Sequence, residues 1–125
     1  MSQVSKALRR WFVAHCVIDV LLAIPLLIFP VTTLKLFGFT SIDPVASRLV
    51  GAALLGIGLQ SLIGNQEDAS VYRAMLNLKI IWSGSCLFGL SLCLIEGAPA
   101  STWLFLGIFG VFSGVWIFFR LRTRI

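Results

Sequence analysis

His15 and Asp19 stand well inside the first of several long apolar runs and Lys79 well inside the third. In a membrane-crossing helix such groups are costly to keep, so they face the bundle interior and pair with one another. Asp19 follows Trp11 by eight residues and Lys79 follows Val71 by eight. In two helices entering from the same side, that spacing predicts both charges about 12 Å deep at 1.5 Å per residue, where they can form an ion pair. His15 lies one turn above Asp19 on the same face, about 6 Å deep, and Gln60, four residues before Gly64, returns to that level on the second run. Two kinds of chemistry suit the resulting cluster of Asp19, Lys79, His15 and Gln60. One is a proton-titrating or ligand-holding centre, with Asp19 as the acid, His15 as a relay and Lys79 as the tuning charge. The other is an ion pair and a hydrogen bond that fix helix packing and register.

The elements that must position these groups are four apolar stretches, residues 11–29, 45–63, 71–95 and 102–119, each long enough to cross a bilayer as a helix. With 58% hydrophobic residues and a mean hydropathy of +0.99, the 125-residue chain is outside the range of a soluble domain. The expected fold class is an all-α membrane protein: one integral membrane domain over residues 1–125, an antiparallel four-helix transmembrane bundle with a short interfacial helix between spans one and two. The net charge of +5 is not a nucleic-acid stripe. Lys6, Arg9 and Arg10 precede the first span, Arg120, Arg122 and Arg124 follow the last, and Arg73 opens the third. Basic residues are retained in the cytoplasm, so both termini are expected there, with only Lys35 and Arg48 outside, in a protein of the inner membrane.

The first span is too long for a secretory h-region, and Ile28-Phe29-Pro30-Val31 offers no small-residue cleavage pair, so it is expected to be retained. Cys16, Cys86 and Cys93 all fall within spans with no CxxC pairing, and a single histidine cannot build a zinc site of the usual kind. No nucleophile triad, phosphate loop or dinucleotide motif is present, so neither an enzymatic activity nor a cofactor is expected.

Between the spans the signals are local. Pro30 with Val31, Leu34, Phe37 and then Gly38 predicts a one- to two-turn helix lying on the outer surface. Asp43-Pro44 is an N-cap and first-turn pair opening span two. Span two carries Arg48, Ala52, Gly56, Gln60 and Gly64 at intervals of four, and span four carries Gly110 and Gly114, so Ala52, Gly56, Gly110 and Gly114 are the expected helix-packing positions. Arg48, just inside the outer boundary, pairs locally with Asp43, snorkels to headgroups, or contacts an anion or lipid. Asn77, nearly opposite Lys79 on its helix, is expected to make an interhelical hydrogen bond, and Trp103 and Trp116 to mark the membrane borders.

The stretch Phe29-Pro30 through Phe37-Gly38-Phe39, then Asp43-Pro44 and Arg48-Leu49-Val50-Gly51-Ala52-Ala53-Leu54-Leu55-Gly56-Ile57-Gly58, resembles the first loop and second span of small DoxX-like four-helix bacterial membrane proteins. The resemblance implies that fold and a membrane location, and carries no catalytic residue with it. In length and helix number the chain is also similar to the small multidrug exporters, which use one membrane-embedded acid in span one as a proton and cation site. Asp19 is similar in role and depth. The chain departs from that family in having Asp for Glu, a histidine one turn before it, and a lysine at the same level that would repel a cationic substrate. The functions compatible with these residues are a non-enzymatic binding, assembly or accessory subunit, a proton-coupled transporter of small molecules, and a lipid or quinone binder. The expected partners are membrane lipids, with a second copy of the chain or a larger membrane protein on the glycine faces.

Overall fold

The computed structural model describes residues 3–123, which form five helices and no strand. In chain order these are α1 (Lys6–Ile28), α2 (Pro30–Leu36), α3 (Pro44–Ile63), α4 (Ala69–Ile95) and α5 (Thr102–Arg122). All but α2 are long and apolar enough to cross a membrane. The expected span over residues 11–29 and the basic lead-in before it are one continuous helix, because the Ser5 hydroxyl accepts the Leu8 N–H at 3.1 Å and starts α1 a turn and a half earlier. The third and fourth spans are likewise longer than expected, opening at Ala69 and running on to Arg122. Arg124 lies outside the described residues.

Side-chain caps and glycines set the ends. The Asp43 carboxylate accepts from Val45 and Ala46 N–H with Pro44 in the first turn, and Asp68 accepts from Ser70 and Val71 N–H to open α4. Replacing Asp43 with Ala is expected to cost on the order of 0.5–2 kcal/mol of stability, read as a lowered unfolding midpoint. At the other ends, Gly38 (φ 91°) and Gly97 (φ 92°) adopt the left-handed conformation that a side chain resists. Each closes its helix with paired bonds, Phe39 N–H to Leu34 O and Gly38 N–H to Lys35 O after α2, and Ala98 N–H to Cys93 O and Gly97 N–H to Leu94 O after α4. Pro25 lies inside α1, where it withholds one N–H from the helical ladder.

The chain divides into two compact units. One holds Arg10–Asn65, that is, most of α1 with α2 and α3; the other holds the residues through Arg9 and everything from Gln66 onward. In the first unit α1 and α3 approach closely at two glycines. A Cβ at Gly51 would meet Leu26 and Leu27 side-chain atoms at 3.1 Å, and one at Gly58 would lie 2.7 Å from the Asp19 Cβ. The buried face of α3 is therefore Gly51, Leu54, Gly58 and Ser61. This corrects the expected stripe: Ala52 and Gly56 are exposed, and a Cβ at Gly56 would meet nothing within 4 Å. The two rows differ by about half a turn of helix, and the row carrying Gly58 is the one that accommodates Asp19.

In the second unit α4 and α5 pack through Asn77 with Arg120, Lys79 with Trp116, Trp82 with Phe109 and Leu87 with Gly110. Gly110 takes part, its would-be Cβ 4.0 Å from Leu87 Cδ2, whereas Gly114 faces open space. Trp116 is fully buried and stacks on Phe112 at 5.5 Å, so it is a core residue and not a border marker; Trp103 is 67% exposed.

In both units polar groups share the interior with apolar ones, and much of the outer surface is apolar. His15, Asp19, Ser61, Lys79, Ser83, Thr102 and Ser113 are buried, while Leu21, Leu36, Ile81, Phe88 and Leu121 are among many large apolar side chains facing outward. In water so much exposed hydrocarbon would be an aggregation surface; against lipid tails it is a matched one.

Candidate functional site

The structure brings His15 and Asp19 of the expected cluster together. His15 Nε2 lies 3.2 Å from Asp19 Oδ1, one turn apart on α1, with each residue only 3% exposed. The spacing of four places both side chains on one face. Gly58 of α3 closes that face, its missing Cβ leaving the room that the Asp19 Cβ and carboxylate occupy. Phe12 and Cys16, on the same side of α1, are also buried.

Gln60 is not on the buried Gly58 face of α3. It lies on an exposed part of α3, two residues on from Gly58 and so about 200° around the helix. The buried polar residue of that turn is Ser61, whose hydroxyl donates to Ile57 O at 3.0 Å. A period-of-four reading anchored on Arg48 selected the wrong row; the signal that could have corrected it is that Gly51, Leu54, Gly58 and Ser61 recur at intervals of three and four.

Lys79 is 2% exposed in the second unit, and its Nζ sits 5.0 Å from the centroid of the Trp116 ring. A cation over an indole face gains electrostatic attraction that grows as water is excluded. Sequence reasoning missed this partner, having assigned Trp116 to the membrane border. Ser83, one turn on from Lys79, is buried and donates to Ile80 O at 3.3 Å.

Arg48 is exposed and makes a hydrogen bond to α1. Its Nε donates to Leu27 O at 3.0 Å, placing a guanidinium on the last turn of α1, where carbonyls lack helical partners and the helix dipole is negative. Asn77 is exposed on α4 and accepts a 2.7 Å hydrogen bond from Arg120 Nε of α5, an interhelical bond. At the N-terminus of α1, Arg9 donates to Glu67 O at 3.1 Å and lies over the Tyr72 ring at 5.1 Å, so the basic lead-in residue is held by the second unit.

Outside the apolar helices, Asp68 is the one group with a clear electrostatic signature. The Ser70 hydroxyl donates to its carboxylate at 2.6 Å, and with the Val71 and Ser70 N–H groups holds the pKa below the ordinary aspartate value. A depressed folded pKa means that the cap contributes above the unfolded value and is lost as pH falls through the folded one. Amide exchange at Ser70 and Val71 is therefore expected to stay slow down to below about pH 3.9. Replacing Ser70 with Ala should raise the onset of exchange toward that value, and an unchanged profile would remove the hydroxyl as its cause.

An open groove of about 660 Å³ runs between the end of α4 and the start of α5, lined by Ser91, Leu94, Ile95, Trp103, Leu106 and Gly107. Among the described residues, no three His, Cys, Asp or Glu side chains gather as a metal site would require. The arrangement offers one closed hydrogen-bonded acid and histidine, one ring-capped ammonium and an apolar groove. Comparison with protein-family models, curated proteins and solved structures returns no match to this chain.

Proposed function

We propose that the chain is a small multi-pass protein of the bacterial inner membrane, similar to the DoxX-like proteins, acting as a non-enzymatic binding, assembly or accessory subunit. Its helices run as an antiparallel bundle with both termini in the cytoplasm and α2 at the outer surface. The order of the contacts Asn77–Arg120, Lys79–Trp116 and Trp82–Phe109, rising on α4 and falling on α5, supports the antiparallel part. The basic residues at Lys6, Arg9, Arg10, Arg73, Arg120 and Arg122 support the orientation. Insertion is tested by resistance to alkaline carbonate extraction, and orientation by labelling single cysteines placed at Gln3 and Gln66 from the cytoplasmic side only.

The observation that carries the accessory reading is the closure of Asp19. A carboxylate that exchanges protons or cations with solution needs a path to water, and this one is 3% exposed, bonded to His15 and pressed against Gly58. Its chemistry is then that of a packing element that fixes register. The hydrogen-bonded His15–Asp19 couple also favours a second reading, proton-coupled transport, because a relay needs such adjacency. Reconstituted vesicles separate the two. The Asp19→Asn variant is expected to be less stable with proton flux equal to that of the parent; loss of a pH-driven flux from a variant that stays folded would overturn the accessory reading in favour of transport.

A further inference from the structure

We draw no further inference here: the strongest candidate, the open apolar groove between the end of α4 and the start of α5 lined by Ser91, Leu94, Trp103 and Gly107, is an apolar face of two helices, and nothing in the structure shows what covers it.

Discussion

Neutralising Asp19 as Asp19→Asn is expected to lower the stability of the folded protein in detergent by about 3–5 kcal/mol, the cost of removing one member of a buried charge pair. The amide keeps the size of the side chain and an acceptor for His15, so packing against Gly58 is retained and the loss is electrostatic. The size of the effect depends on where the countercharge is. His15 can supply it only when protonated, and Lys79 is 2% exposed. Sequence spacing pairs Asp19 with Lys79, and a double variant tests that pairing. If that pairing holds, adding Lys79→Met to Asp19→Asn recovers most of the loss, since the double variant buries no uncompensated charge. Independent, additive losses in reversible unfolding would show that the two charges do not balance, and that the Trp116 ring is sufficient for Lys79.

The second large effect is steric. Gly58→Ala places a methyl 2.7 Å from the Asp19 Cβ, a separation that real Cβ atoms do not adopt, and both backbones belong to helices that cannot yield locally. Overpacking of this kind costs about 1–3 kcal/mol. Gly56→Ala and Gly114→Ala provide the comparison: both positions open onto free space, and each variant should be neutral or gain up to about 1 kcal/mol from helix propensity. Urea or SDS unfolding of the three variants reads the difference directly. If Gly58→Ala were as stable as Gly56→Ala, the close approach of α1 and α3 at Asp19 would be wrong.

The comparison of these glycines also shows what a one-dimensional pattern carries. Helix number, the Asp43-Pro44 start and the Gly38 stop were all legible because caps and left-handed turns depend on residues within a few positions of one another. The packing face of α3 was not. In a helix bounded by lipid the outward surface is as apolar as the inward one, so hydropathy does not distinguish Gly56 from Gly58, and only the neighbour across the contact does. The His15–Asp19 bond was legible as a spacing of four. The Lys79–Trp116 contact was hidden because thirty-seven residues separate the partners and a tryptophan near a span end has a ready alternative use. For Arg48 the sequence offered Asp43, headgroups or an anion, and the hydrogen bond to Leu27 O, a carbonyl at the end of a different helix, lay outside that set.

The hydrogen bond from Arg48 to Leu27 has a bearing on biogenesis. Together with the close approaches at Gly51 and Gly58 it lies wholly within Arg10–Asn65, a segment the ribosome delivers before α4 exists. This first hairpin of helices has its own fastenings and can set while translation continues, as N-terminal units generally do. Arg9 has to wait: the Tyr72 ring and the Glu67 carbonyl that hold it emerge only afterwards.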